Sequence, residues 1–472
     1  MARAVVIGGD AAGATAAVRI KDSVPDAEVV VLEKGSWTSY SACGIPYLVA
    51  GDVEQADALV ARSPAEHRER GLVVRLHTTA TAIDREGRVV HTMDAETGET
   101  GSEPYDVLVY ATGAHPRTPP VEGLDQFGVP VHTLDEGVAL RDRLVARDIS
   151  HVAVLGAGYI GIELAEALAQ RGLSATLIDR GEEVMRTLDA DMAALIRERV
   201  IELGIDVRLG EEVAGVEREG DRCRAVRTRR VGSGGDGDGA EAEPVRAEVV
   251  VIALGSRPRV DLARDAGLAI GPSGAVAVDE RMRTDDERIW AVGDCAESRH
   301  LLTGRGANVQ LGTHANKHGK VAGLDAAAFL TGSGRGEAVF PGVVGSAVTR
   351  LCGLEIGRTG LTEREATAAG VDHRAVVVEG TIRSGYMPDA GWARVKLLAE
   401  PGTGRVLGGQ IVGNGPVAKR IDVVAVWCHV GTTVQEAQMM DLSYAPPFGG
   451  AWDLWQVAAR KAVGQLGLSP AL

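Results

Sequence analysis

Two segments of this 472-residue chain repeat one design: an apolar strand, a turn of small residues, a helix rich in small residues, a second apolar strand and an acid. The first runs Val5-Val6-Ile7-Gly8-Gly9-Asp10-Ala11-Ala12-Gly13 and leads on to Val29-Val30-Val31-Leu32 and Glu33. The second runs His151-Val152-Ala153-Val154-Leu155 into Gly156-Ala157-Gly158-Tyr159-Ile160-Gly161 and leads to Ala175-Thr176-Leu177-Ile178 and Asp179. Small residues at such a turn let the backbone approach a pyrophosphate at a helix N-terminus, and an acid ending the second strand suits a ribose hydroxyl. Both segments therefore predict Rossmann-like, dinucleotide-binding units in an α/β fold. The second carries the full G-x-G-x-x-G pattern, whereas Asp10 stands in place of the middle glycine of the first. Each unit is followed by a strand that ends in a further small turn, Val107 to Ala111-Thr112-Gly113 and Val249 to Gly255. Two such units imply two dinucleotides, with electron transfer between them as the economical explanation.

The length is enough for about three domains. From about 340 onward the texture changes to short alternating strands such as Ala393-Arg394-Val395-Lys396-Leu397-Leu398, followed by helices with apolar periodicity, and no nucleotide motif recurs. An α+β C-terminal domain, suited to an interface, is expected there. The stretch 231–239, rich in glycine and aspartate, reads as a flexible hairpin tip. A formal charge of −15 without any basic tract argues against nucleic acid as a partner. No run approaches the roughly 18 apolar residues of a membrane-spanning helix, and no cleavable leader is read at the start. A cytoplasmic protein is the expectation.

The five cysteines, at 43, 223, 295, 352 and 428, are odd in number and scattered, which suits neither a disulfide framework nor a zinc site. They point to a reducing compartment and to thiols that mostly fill cores. Cys43 is different, because it stands in Ser39-Tyr40-Ser41-Ala42-Cys43-Gly44-Ile45-Pro46-Tyr47, just beyond the first unit. A lone thiol there suggests single-cysteine redox chemistry, and a helix starting after Gly44 is expected to favour its thiolate. Cys295, beside Asp294, reads as a packing residue, and His314 and His429 as structural, so no metal site is expected.

Together these features resemble the pyridine nucleotide-disulfide oxidoreductases, flavoproteins that bind two dinucleotides, and more narrowly their coenzyme A-disulfide reductase and NADH oxidase subgroup. The resemblance covers almost the whole chain. Thr284 through Ile289-Trp290-Ala291-Val292-Gly293-Asp294 is similar to the family's second flavin motif, while Leu311-Gly312-Thr313-His314-Ala315-Asn316-Lys317 and Leu442-Ser443-Tyr444-Ala445-Pro446-Pro447-Phe448 are similar to subgroup signatures. The resemblance implies an FAD domain over 1–115 and 275–335, an NAD(P) domain over 116–274 and a dimerisation domain over 340–472. For FAD it implies contacts from Gly8, Gly9, Ala11, Ala12, Gly13, Glu33, Lys34, Ala111, Thr112, Gly113, Gly293 and Asp294. For NAD(P)H it implies Gly156, Gly158, Tyr159, Ile160, Gly161, Asp179, Arg180 and Gly255. Asp179 favours NADH by repelling a 2′-phosphate, and Arg180 and Arg186 leave NADPH possible.

The same resemblance makes Cys43 the catalytic sulfur and implies a homodimer in which Tyr444 and Tyr386 of one subunit face Cys43 of the other. Position 48 is a leucine, so an internal disulfide of the glutathione reductase type is unavailable, and Cys43 must cycle through a mixed disulfide, persulfide or sulfenic acid. Two departures bear on substrate: coenzyme A-using members carry a basic residue where Asp22 stands and an asparagine where Ala42 stands. Arg19 and Lys21 are possible substitutes near a phosphate. Three readings follow: reduction of a disulfide, persulfide or polysulfide; NADH oxidation by oxygen through a sulfenic acid; and a flavin-binding redox sensor.

Overall fold

A computed structural model describes residues 1–146, 149–232, 239–351 and 353–469. Most of the expected hairpin tip and all of Cys352 lie outside the described residues. The Val-rich runs of the first unit become inner strands of a five-stranded parallel sheet, in the order Ile289–Ala291, Val107–Tyr110, Arg3–Ile7, Glu28–Leu32 and Val73–Arg75. Both faces of such a sheet are covered, which is why Val5, Val6, Val29, Val30 and Val107 to Tyr110 are all fully buried. Helices Ala11–Ser23 and Gly312–Leu330 pack together over one face. The second unit builds a matching parallel sheet, ordered Asp206–Leu209, Ser174–Asp179, His151–Leu155, Val249–Ile252 and Gly128–Pro130.

The chain leaves the first domain and returns to it through a two-stranded ribbon, Ala114–Pro116 against Ser256–Pro258. Val260, Ala263 and Leu268 already pack with Val5, Ile7 and Tyr110. We therefore place the return at this ribbon, earlier than the 275 suggested by sequence. The C-terminal domain is an antiparallel sheet, ordered Ala347–Leu351, Leu354–Gly360, Val406–Asn414, Ala393–Ala399 and Arg374–Gly380. Helices Ile421–Val430 and Leu454–Gln465 cover it through Trp427 and Trp455. This α/β architecture of two Rossmann-like domains and an α+β C-terminal domain is the expected one. Among the described residues, no helix is long and apolar enough to cross a membrane.

The two turns are built alike. Gly8 and Gly156 have φ of +107° and +105°, a region that L side chains rarely adopt. A Cβ on Gly13 would lie 1.9 Å from the Gly8 carbonyl oxygen, and one on Gly161 at the same 1.9 Å from that of Gly156. Contact this close fixes how each helix enters its turn. Gly161→Ala should accordingly destabilise the second domain by about 1–3 kcal/mol, read as a lowered urea midpoint. An unchanged midpoint would show that the helix can back away from the turn.

Candidate active site

Each acid at a strand end bridges its own turn. Glu33 accepts the Gly9 N–H on Oε2 at 2.8 Å and the Gly35 N–H on Oε1 at 2.7 Å. Asp179 accepts the Ala157 N–H on Oδ2 at 2.8 Å and the Gly181 N–H on Oδ1 at 2.7 Å. A carboxylate oxygen takes more than one hydrogen bond, so neither acid is saturated and a ribose hydroxyl can still be received. Side chains built on Gly113, Gly158 or Gly255 would meet no atom within 4 Å, so open space lies in front of the backbone there. Turns stripped of side chains, beside an acid and at a helix start, fit a dinucleotide in each domain.

The loop carrying Cys43 hangs from the first turn. The Ser39 N–H donates to the Gly9 carbonyl at 3.1 Å, the Tyr40 N–H to Asp10 Oδ1 at 3.1 Å, and the Ser41 N–H to the Leu59 carbonyl at 2.8 Å. Asp10, unexplained as a missing glycine, is thus the anchor of the redox loop. Ser39 has a left-handed φ of +48°, and its hydroxyl pairs with His67 Nε2 at 3.0 Å. Cys43 then sits, exposed, in a single turn, Ala42–Gly44, that runs straight into the short helix Ile45–Ala50. The surroundings do not favour its thiolate as the sequence suggests. Although the residue reaches the surface, the protein packed around it desolvates the sulfur, and this, then the carboxylates of Glu163, Asp294 and Asp10, pushes the Cys43 thiol up from its ordinary value. Six residues of helix supply too little opposing field.

One group acting on the thiol was not picked out in sequence. Glu163 projects from the nucleotide helix Tyr159–Gln170, and burial pushes its carboxyl up; Thr349 of the C-terminal domain donates to its Oε1 at 2.5 Å. Glu163, Tyr47 and Arg350 line a groove where the three domains meet. A second groove, beside the Cys43 loop, is lined by Thr15, Arg19, Asp22, Ser39, Arg62 and Arg70. Arg19 and Asp22 form an exposed pair at 3.7 Å. Lys21, expected as a substitute base, is engaged elsewhere: its Nζ donates to the carbonyls of Pro25 at 2.8 Å and Ala27 at 2.9 Å. Arg62 and Arg70, remote in sequence from Arg19, supply the charge instead.

The other expected residues fall into clear groups. Thr112 Oγ1 donates to the Arg259 carbonyl at 2.8 Å, Ala111 presses its carbonyl on Gly8, and Gly293 takes a φ of +76° beside Ala12, so these gather around the first turn. Burial pushes Asp294 up to about 6 and pulls Lys34 down. Ile160 is exposed at the second turn, and Arg180 pairs with Glu212 at 3.1 Å. Tyr386 and Tyr444 are exposed, on loops tied together by Ser384, whose N–H donates to the Pro446 carbonyl at 3.0 Å and whose Oγ donates to that of Gly449 at 3.2 Å. Among the described residues, the charged groups that act most on the Cys43 thiol are the carboxylates already named. Cys295 is buried, its Sγ 3.2 Å from the Val292 carbonyl, and packs as expected.

Asp10 gives a pH test. Burial raises its carboxyl from 3.8 to about 7, although the N–H groups of Ala11 and Tyr40 oppose the rise. Between those values the folded chain holds a proton the unfolded chain lacks, so stability falls as pH rises through the window. Asp10→Asn should flatten that fall in flavin-stripped protein, measured as urea midpoints at about pH 5 and about pH 7.5. An unaltered slope would assign the titration elsewhere.

A family model described as pyridine nucleotide-disulphide oxidoreductase matches residues 2–319, and the dimerisation domain of the same family matches 346–454. The NAD(P)H coenzyme A polysulfide/persulfide reductase of Pyrococcus horikoshii is 37% identical over 461 residues, which are 97% of this chain and 98% of that one. An NADH oxidase of Methanocaldococcus jannaschii is 34% identical over 473 residues, 98% of this chain and 99% of that one. Among solved structures, an NAD-dependent persulfide reductase from A. fulgidus has a TM-score of 0.90 at 36% identity, covering 98% of this chain and 83% of that chain. Together the matched segments span both nucleotide domains and most of the C-terminal one, so the chain belongs to the pyridine nucleotide-disulphide oxidoreductase family, whose members depend on FAD and draw electrons from NAD(P)H.

Proposed function

We propose that this enzyme is an NADH-preferring, FAD-dependent reductase of disulfides or persulfides, with a phosphate-bearing thiol of the coenzyme A type as its substrate class. The observation that carries this reading is the groove beside the Cys43 loop, where Arg19, Arg62 and Arg70 outnumber Asp22. Guanidinium groups grip phosphate bidentately, and Ser39 at the groove's edge leads directly to Cys43. The P. horikoshii relative bears a name that specifies coenzyme A and persulfide, which supports the same class. The cytoplasm suits the free thiols Cys43, Cys223, Cys295 and Cys428.

Gly8 to Gly13, Glu33 and Asp294 would hold FAD and the second turn would hold NADH; bound there, the pair would supply two electrons to the sulfur site. Cys43 Sγ, once deprotonated, attacks one sulfur of the substrate; the S–S bond breaks, one thiolate leaves and takes a proton, and a mixed disulfide remains. Two electrons and a proton then release the second thiol and restore the Cys43 thiolate. Because desolvation, then the neighbouring carboxylates, push the Cys43 thiol up, its ionisation is helped by a proton acceptor or an opposing charge at the moment of attack. In a homodimer, Tyr386 and Tyr444 of a second copy are suited to protonate the leaving thiolate. Asp179, already bridging its turn, disfavours a 2′-phosphate, and Arg180 is occupied by Glu212. A second reading, oxidation of NADH by oxygen through a Cys43 sulfenic acid, draws on the M. jannaschii relative.

Anaerobic NADH consumption with coenzyme A disulfide, glutathione persulfide and polysulfide, then in air without an acceptor, separates the readings. Turnover with a sulfur substrate should vanish in Cys43→Ser while NADH still reduces the flavin; turnover confined to air would favour the oxidase. Arg62→Ala and Arg70→Ala should each raise KM for coenzyme A disulfide about tenfold and leave polysulfide reduction unchanged. Equal loss with both substrates would remove the phosphate role. Asp179→Ala should raise KM for NADH and lower that for NADPH, and an unchanged ratio would show that Asp179 does not discriminate.

A further inference from the structure

The segment after Asp179 is held in a way the reaction above does not explain. Met185 is buried with a left-handed φ of +42°, and its N–H donates to the Ala157 carbonyl, inside the second glycine turn, at 2.7 Å. A non-glycine residue keeps such a conformation only where its surroundings over-determine it. The residues that follow Met185 are held by the C-terminal domain. Arg364 donates to the Arg186 carbonyl at 2.5 Å and Arg358 to that of Thr187 at 2.9 Å. Gln410 accepts the Asp189 N–H at 2.8 Å and returns a hydrogen bond to Asp189 Oδ2 at 2.6 Å. Lys396, only 3% exposed, pairs with Asp189 at 3.2 Å, with Asp191 at 2.8 Å and with Glu363.

A buried ammonium facing three carboxylates is a costly arrangement unless its geometry is kept. The contacts of Arg364, Arg358, Gln410 and Lys396 cross from the C-terminal domain to the loop that grips the glycine turn and to the first turn of the helix Ala190–Glu202 that follows it, except the Lys396–Glu363 pair, which lies within the C-terminal domain. Ala157 is squeezed between two such ties, its carbonyl held by Met185 and its N–H by Asp179. Tyr159, first residue of the nucleotide helix, has Thr187 and Arg358 beside its phenol.

We propose that Lys396, with Arg358 and Gln410, is a positioning residue for nicotinamide-nucleotide binding: the C-terminal domain holds residues 185–191 and through them sets the second glycine turn. The inference rests on the reading that this turn takes NADH. Losing a contact in such a chain of packed groups shifts coupling between sites without touching the ligand.

The test splits the two half-reactions of the FAD-loaded enzyme by rapid mixing. Flavin reduction as a function of NADH concentration gives the Kd for NADH, and reoxidation of dithionite-reduced enzyme by polysulfide reports the Cys43 side. Lys396→Met should raise the Kd for NADH about tenfold, with reoxidation within about twofold of wild type, and Lys396→Arg should restore most of the affinity. Arg364→Ala, which removes one exposed contact and leaves the buried cluster intact, should raise the Kd about threefold even if Lys396→Met fails to fold. Wild-type Kd values in Arg364→Ala and in folded Lys396→Met would overturn the inference. Parallel loss in both half-reactions would overturn it too, by showing a general structural role. Wild-type enzyme whose flavin NADH does not reduce would overturn the functional reading itself, an outcome distinct from either.

Discussion

The bridge between an acid and its glycine turn is the constraint from which both nucleotide domains follow. Glu33 and Asp179 each spend two oxygens on backbone N–H groups, one in the turn and one just beyond the strand. Strand, turn and following loop are thereby fixed around one carboxylate, where an unpaired buried N–H would otherwise cost roughly 1–3 kcal/mol. The glycines complete the arrangement by letting the helix close on the turn, with Gly13 and Gly161 pressed on the carbonyls of Gly8 and Gly156. In the first domain the same framework carries the redox loop, since Gly9 and Asp10 receive the N–H groups of Ser39 and Tyr40. Cys43 therefore inherits its place from the cofactor turn.

The field around that thiol has a definite sign. Glu163, Asp294 and Asp10 set carboxyl groups around it, all three of them pushed toward neutrality by burial, so that the surroundings are acidic and favour the protonated thiol. A protonated thiol is a poor nucleophile and is slow to oxidise. The groove with Arg19, Arg62 and Arg70 carries the opposite sign a short distance along the same loop. Acidic and basic zones meeting at one loop separate the site that holds sulfur from the site suited to anchoring a charged substrate.

Sequence revealed what is local. The strand–turn–helix units, their acids, the fold class and the place of Cys43 just beyond the first unit were legible because each is written in contiguous residues with a steric or electrostatic reason for every position. What escaped is what folding assembles from afar. Arg62 and Arg70 belong to a connection with no motif, and reach the groove only because the chain doubles back under Ser39. Lys21 looked available, but its ammonium is taken up by the carbonyls of Pro25 and Ala27 in the turn after its helix. Glu163 lay within a recognised motif, but its link to Thr349, across 186 residues, has no sequence signal. Val260, Ala263 and Leu268 fall within the span assigned to the NAD(P) domain, yet pack in the first core because its sheet has apolar surface to cover.

The left-handed residues Ser39 and Met185 stand at one address in the two halves, six positions beyond Glu33 and Asp179 and each bonded to the second residue of its turn. Counting ten positions beyond each acid reaches Cys43 in one half and Asp189 in the other. The thiol and the clamped carboxylate are thus counterparts, one loop turned toward chemistry and its twin toward mechanical attachment. Such a molecule holds an internal control: a strain relieved at Ser39 has its comparison at Met185 within the same polypeptide, where any difference in outcome isolates what redox duty demands of a loop.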